Sequence, residues 1–284
     1  MGTPPSRPAA EREVAVIIEP SRGWAPIRLW DLWEYRELLY FLVWRDVKVR
    51  YRQAAMGVAW AVIAPFTTMV VLTIIFSYFG RFPSGGVPYP IFSFAALLAW
   101  NFFANGLGRA AISVAGSASL ISKIYFPRLL VPLAAAVAMT MDLVVAFIVF
   151  IAMMFWFGIM PTLAMLTLPL FVLLDLLVVL GFGFWLSALN VKYRDVNHAM
   201  PLLLQLWMFA SPVVYPLSVI PTKWQMLYNL NPMVGVVQGF RWALLGKESP
   251  QLAFLTLNVA VALLVLSTGL FYFKRTEQTF ADVI

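Results

Sequence analysis

Apolar runs separated by short clusters of charge, proline and glycine divide this chain from about residue 57 onward. A helix needs about 20 apolar residues to cross the hydrocarbon core of a bilayer. Runs of that length fall near 57–79, 91–111, 131–157, 162–189, 199–217 and 251–273. Gly and Pro mark the reversals, with "GRFPSGGVPYP" after the first run and "FGIMP" after the third. The pattern predicts an all-α integral membrane protein whose residues 53–284 hold six transmembrane helices.

Residues 218–247 resist simple assignment. The stretch "WQMLYNLNPMVGVVQGFRWALLG" is apolar enough for a seventh span, yet Asn229, Asn231, Pro232, Gln238 and Arg241 interrupt it. Polar groups facing lipid without partners cost roughly several kcal/mol each. Re-entrant helices between spans five and six, buried against protein, suit the pattern better. Pro212 and Pro216 in "SPVVYP" bend the end of span five just before them.

Ahead of the first span, residues 27–52 read as an interfacial helix and a basic collar. Helical spacing puts Leu29, Trp33, Tyr40, Trp44, Val47 and Tyr51 on one face, with Asp31, Glu34, Arg45 and Arg52 largely opposite. Leu38 and Leu42 spoil the polar side. A helix lying in the headgroup layer accounts for a Trp/Tyr stripe beside Arg45, Lys48, Arg50 and Arg52. A plain aromatic belt accounts for it equally well.

Composition supports the membrane reading: 62% of the 284 residues are hydrophobic and 12% charged, more apolar side chain than a soluble domain of that size can cover. Charge then sets the direction. With the N-terminus inside, every one of the 20 Lys and Arg residues except Arg81, Lys223, Arg241 and Lys247 falls on the inner side. That is the bias of cytoplasmic loops, so both termini are expected in the cytoplasm. Residues 1–26 are polar, rich in Pro and Arg, and lack the apolar core of a signal peptide, so they read as a flexible cytoplasmic tail. The match of "MGTPPS" to a myristoylation pattern is put down to chance. There is no Cys, which excludes disulfides and thiolate or iron–sulfur chemistry. His198 is the single His; with only Asp195 near it, a solvated loop explains it and no metal site is expected.

Some polar residues fall inside the spans. Asn101, Asn105 and Arg109 follow at four-residue steps on one face of span two. They suit sugar hydroxyls or a diphosphate linkage; interhelical hydrogen bonds explain the two amides as well, and Arg109 stands near the inner membrane edge. Asp142 and Asp175 are the carboxylates within spans, each roughly 20 Å from the outer ends of their helices at about 1.5 Å per residue. Intramembrane carboxylates usually face a cavity or a partner, and no cationic partner is evident at that depth. Either they bond hydroxyls of cargo or neighbours, or one of them is protonated. Trp60, Phe94, Phe102, Phe103 and Trp207 are span aromatics able to stack on sugar C–H faces or to pack the core.

Two loops carry a more specific pattern: "ASLISKIYFPRLLVPLA" at 118–134 and "LNVKYRDVNHAMP" at 189–201. Together with "RDVKVRYRQAAMGVAWAVIAPF" at 45–66, "SPVVYPLSVIP" at 211–221 and Asn231–Pro232, they closely resemble the permease subunits of type-2 ABC exporters of cell-surface polysaccharide, such as O-antigen, capsule or teichoic acid. The resemblance runs in order from about residue 29 to the end. It implies a homodimer that carries two copies of a separate ATPase, with that ATPase binding ATP and Mg, and a lipid-linked polysaccharide as cargo within the membrane lipid. No nucleic acid is implied. It also implies that 117–128 is the segment that couples to the ATPase, through Ser117, Ser119, Lys123, Tyr125, Phe126, Pro127 and Arg128, with "KIYFPR" matching best. Tyr125 and Phe126 are suited to plug an apolar cleft, and Lys123 and Arg128 to pair with acidic groups at its rim. The resemblance further makes 212–246 an outer gate, with Pro212, Tyr215, Pro216, Asn231 and Pro232 in it. The substrate path would draw on Trp60, Phe94, Asn101, Phe102, Asn105, Arg109, Asp142, Asp175 and Trp207.

The chain is expected to be a transport subunit and not an enzyme. A P-loop needs G-x-x-x-x-G-K-[ST], whereas "LLGKES" follows Gly246–Lys247 with Glu248, and Arg241 stands where the first Gly belongs. One alternative is a drug or small-lipid exporter of the same superfamily, differing in cargo. Another is a polyprenyl-dependent membrane glycosyltransferase or phosphotransferase. That enzyme needs clustered carboxylates for a divalent metal, and outside the spans only isolated ones such as Asp195, Glu248 and Asp282 occur.

Overall fold

In the computed structural model, residues 33–52, 57–80, 84–247 and 249–280 are described. The tail 1–26, the start of the predicted interfacial helix with Leu29 and Asp31, and Arg81, Glu248 and Asp282 lie outside the described residues. Helix dominates, and no strand occurs among the described residues.

The chain runs through α1 (Arg36–Arg52), α2 (Gly57–Leu72, continued by a π-helical Thr73–Phe79), α3 (Tyr89–Gly116) and a single turn, α4 (Ala118–Ile121). Then come α5 (Leu130–Ala138) and α6 (Thr140–Trp156), kinked against each other at Met139, and α7 (Leu168–Lys192) behind a 3-10 turn at Leu163–Thr167. The last part holds α8 (Val196–Phe209), α9 (Thr222–Tyr228), α10 (Pro232–Leu245) and α11 (Leu252–Glu277). Among the described residues five helical stretches are long and apolar enough to cross a bilayer: Ala59–Phe79, Tyr89–Gly116, Leu130–Trp156, Leu163–Lys192 and Leu252–Glu277. The chain is a multi-pass membrane protein.

The predicted span at 199–217 is not one continuous helix. Its 14-residue helix α8 is roughly 21 Å long at about 1.5 Å per residue, short of the roughly 30 Å hydrocarbon core. Proline explains the stop. The helix ends at Phe209, shortly before Pro212, which has no N–H to give and disfavours helix in the residue ahead of it. The chain nevertheless returns across the bundle here, because α7 and α11 run in the same direction. Phe184 meets Phe273 at 5.7 Å, and nearer both N-termini Gly181 meets Gly269 and Leu266. Helices α3 and α7 are parallel too, with Gly106 against Val179 and Ala110 against Gly183.

Helix α3 is the hub of this arrangement. Of its apolar window 78% is buried, against 17% for α2 and for α11. Around α3 pack α2, α5, α6, α7, α8 and α10.

Helix α1 departs from its predicted faces. The two residues that spoiled the amphipathic pattern are the ones that pack: Leu42 is buried and Leu38 lies against the core, with α1 lying along α5. Trp33, Tyr40 and Trp44 of the aromatic stripe are exposed, whereas Val47 is buried. Trp33, Tyr40 and Trp44 thus face away from the protein, while Val47 and Tyr51 of the same stripe turn toward it.

Candidate functional site

The end of α1 turns the basic collar inward at one residue. Arg45 pairs with its neighbour Asp46 at 2.8 Å, and Lys48 and Arg52 are exposed. Arg50, on the opposite side of the helix, reaches the α5–α6 kink. Its Nη2 lies 2.5 Å from Asp142 Oδ2, and its Nη1 is 2.8 Å from Met139 Sδ. The hydroxyl of Tyr51 donates to the other oxygen of Asp142. Burial, and then this bond to a carboxylate, push the Tyr51 phenol up from its ordinary pKa, so it stays protonated and serves as a donor.

These groups close one side of a cavity of about 220 Å³ whose other polar walls are Trp60 of α2 and Asn101 and Asn105 of α3. The Nδ2 of Asn101 is buried without a hydrogen-bond partner among the described residues. A guanidinium, a phenol, two amides and an indole edge around one small space can donate hydrogen bonds to hydroxyl or phosphate oxygens. Part of the sequence-predicted path is therefore assembled here: Trp60, Asn101, Phe102, Asn105 and Asp142 line this space. Arg109, one turn further along α3, is exposed outside it. Phe94 is buried, stacked on Phe150 with ring centroids 6.3 Å apart.

Asp175 is placed on the far side of α3. Val179 lies against Gly106, so Asp175, one turn earlier on a parallel helix, is level with Phe102 of α3. Asp142 reaches the same level by the antiparallel register that Phe94 and Phe150 fix. Asp175 is fully buried, and neither oxygen has a hydrogen-bond partner among the described residues.

The segment 117–128 forms a short hook between α3 and α5. Ile121 and Phe126 are buried and anchor it, while Lys123, Ile124 and Tyr125 project outward. Phe126 is therefore spent on this chain's own core and does not plug an external cleft, contrary to the sequence expectation. Arg128 is likewise engaged. Its guanidinium bonds the Glu277 carbonyl, its backbone N–H donates to Glu277 Oε1 at 3.3 Å, and Phe280 lies 6.0 Å below its charge. Ser117 and Pro127 are half-buried and Ser119 is exposed.

At the opposite end, the chain after α8 is held by a dense set of polar ties. Asn231 caps α10 by accepting from Met233 N at 3.1 Å, accepts from Trp207 Nε1 at 3.0 Å, and donates to Ala210 O and Ser211 Oγ. Pro232 fills the first helical position, where no N–H is needed. Tyr215 meets the Tyr228 hydroxyl at 3.0 Å. Irregular backbone at membrane depth requires this kind of satisfaction. Trp207 itself packs edge-on against Phe103 and Phe182, with centroids at 4.9 and 4.8 Å. Trp207 also lines a separate cavity of about 610 Å³, with Trp224 and Tyr228 on its walls.

Sequence reasoning missed three supports of this end. Arg241 donates to Val213 O at 2.7 Å and sits 3.7 Å over the Phe92 ring; Tyr89 donates to Val214 O at 2.6 Å; Asn258 donates to Asn229 O at 2.6 Å. A fourth signal was legible but unused. Gly235 and Gly239 form a G-x-x-x-G on α10, where an added Cβ would lie 2.2 Å from Asn258 and 2.0 Å from Phe171, so α10 approaches α11 and α7 closely there.

Known proteins give the chemistry a context. The sequence profile described as ABC-2 type transporter matches residues 37–245. The chain is 30% identical over 257 residues to the O-antigen export system permease protein RfbA of Myxococcus xanthus, covering 89% of this chain and 98% of that protein. It is 24% identical over 250 residues to the O-antigen export system permease protein RfbA of Klebsiella pneumoniae, covering 87% and 95%. It is 22% identical over 239 residues to the polysialic acid transport protein KpsM of Escherichia coli, covering 82% and 91%.

Proposed function

The chain belongs to the ABC-2 type transporter family, and we propose that it is the permease subunit of an exporter that moves a lipid-linked polysaccharide across the bacterial inner membrane. The near end-to-end similarity to an O-antigen export permease, 98% of whose length is covered, carries this reading. Two copies form the channel, and two copies of a separate ATPase subunit bind ATP and Mg and drive it. This chain's own part is conduction and not catalysis.

In this reading α8 and the chain after it make a sixth crossing, and both termini lie in the cytoplasm. The parallel course of α7 and α11 supports that return, as does the cluster of Arg128, Lys192, Lys274 and Arg275 at one end of the bundle. The exposed Lys123–Tyr125 tip offers itself to the ATPase, and its buried anchors Ile121 and Phe126 transmit the push to α3 and α5. Helices α9 and α10 re-enter from the outer side as a gate around Tyr215, Pro216 and Asn231, with Pro212 and Pro232 shaping the turns. The cavity at Arg50, Asn101 and Asn105 belongs to the cargo path, where donors meet sugar hydroxyls or the carrier's phosphates.

The test joins cell-surface labelling to native mass spectrometry. Deleting the gene should leave polymer in whole-cell lysate but remove it from the surface, with the wild-type gene restoring it. Lys123→Ala/Tyr125→Ala should fail to restore export and should lose the two ATPase copies that co-purify with the dimer. Unchanged surface glycan after deletion, together with a chain that purifies without any ATPase, would refute the reading.

A further inference from the structure

A second groove lies far from the cargo cavity, on the outward side of α7 and α11. The two helices touch backbone to backbone at Gly181 and Gly269, where an added Cβ on Gly269 would sit 2.3 Å from the Gly181 carbonyl oxygen. Beyond that contact the large rings of Trp185 and Tyr272 hold the helices apart, stacked at 4.4 Å and 10°. The resulting groove has a volume of about 860 Å³. Its length follows from its walls. Ser267 to Thr276 along α11 spans roughly 14 Å at about 1.5 Å per residue, and Thr279 extends the wall past the helix end.

The groove is polarised along that length. Toward mid-bundle it is walled by Trp185, Phe271 and the methyl of Thr268. At the end of the bundle stand Lys192, in the last turn of α7, and Arg275, in the last turn of α11, with the hydroxyls of Thr276 and Thr279 beside them. Both cations are exposed, and neither has an ion-pair partner among the described residues. Among the described residues no carboxylate lines the groove. Glu277, the nearest in sequence, is held 2.8 Å from Lys274 and accepts from Arg128.

We propose that this groove binds one anionic glycerophospholipid per subunit, with the headgroup phosphate between Lys192 and Arg275 and an acyl chain along Trp185 and Phe271. Two cations without ion-pair partners among the described residues, Lys192 lying 5.1 Å over the Tyr193 ring, select a negative headgroup, and the aromatic and methyl walls take hydrocarbon; a basic pocket between transmembrane helices is the arrangement that recognises such lipids. A soluble anion would use the basic end alone and leave the apolar length empty. The site is separate from the cargo cavity, so it stands or falls independently of the export reading.

The full-length protein, purified with whatever subunits accompany it, is titrated with phosphatidylglycerol or phosphatidylcholine of identical acyl chains and read by native mass spectrometry. One phosphatidylglycerol per copy should be retained, with a preference over phosphatidylcholine on the order of 10-fold or more from the two cations. Lys192→Ala/Arg275→Ala should abolish the preference, and the charge-conserving Lys192→Arg/Arg275→Lys should keep it. Both positions are exposed, so the bundle is expected to fold unchanged. Equal retention of the two lipids by wild type, or a preference that survives the double alanine variant, would overturn the proposal. So would full displacement of the lipid by millimolar inorganic phosphate.

Discussion

Asp142 and Asp175 stand at the same level of the bundle, on either side of α3, and meet opposite surroundings. Asp142 faces a cavity and is bound by Arg50 and Tyr51. Asp175 is sealed by packing, with both oxygens unpartnered among the described residues. Depth and residue type are the same, so neither decides what an intramembrane carboxylate does. The difference comes from a helix that precedes the first span: α1 delivers a cation and a phenol to one side of α3, and among the described residues nothing equivalent reaches the other. The Asp142 side is polar and partly accessible, which is what the proposed cargo path requires of it.

Removing one partner of the ion pair should have the largest effect. Arg50→Ala leaves Asp142 uncompensated, and since the pair keeps 28% and 14% exposure, the loss is expected near the lower end of the buried-pair range, about 3 kcal/mol. Thermal unfolding in detergent should show it. Arg50→Met/Asp142→Leu should recover most of the stability while export stays impaired; recovery of export as well would mean that the pair is only structural.

Tyr51→Phe comes next, removing one hydrogen bond to a charged acceptor at a cost of about 1.5–3 kcal/mol. It should also change the alkaline limb of stability. Because the Tyr51 phenol is raised in the folded chain, the unfolded chain releases this proton first as pH climbs past about 10. Wild-type stability should therefore fall through that range, and Tyr51→Phe should flatten the fall. An identical pH profile in the two proteins would show that the bond to Asp142 is not maintained in the membrane.

The smallest change is expected at the other carboxylate. Asp175→Asn removes the charge at nearly constant shape from a site without partners, so stability should stay level or rise by up to about 1 kcal/mol. A loss as large as that of Arg50→Ala, measured on the assembled exporter, would reveal a partner for Asp175 in the complex and erase the asymmetry.

Much of the architecture was readable from the chain itself. Apolar length alone locates the five long helices, because a helix that meets lipid must satisfy its backbone internally and display hydrocarbon for the full membrane thickness. Gly and Pro place the reversals, and the loop patterns place the family. Tertiary structure decided what those rules leave open. Tyr51 and Asp142 are 91 positions apart, and no local period announces that they meet. Leu38 and Leu42 looked like blemishes on an amphipathic helix until α5 packed on them. Phe126 and Tyr125 are adjacent aromatics of the same pattern, yet one is buried and the other exposed. Sequence determined which segments enter the membrane, since that depends on each segment's own hydrocarbon. Which polar groups inside it find partners depends on how helices distant in the chain pack, and only the folded bundle settles that.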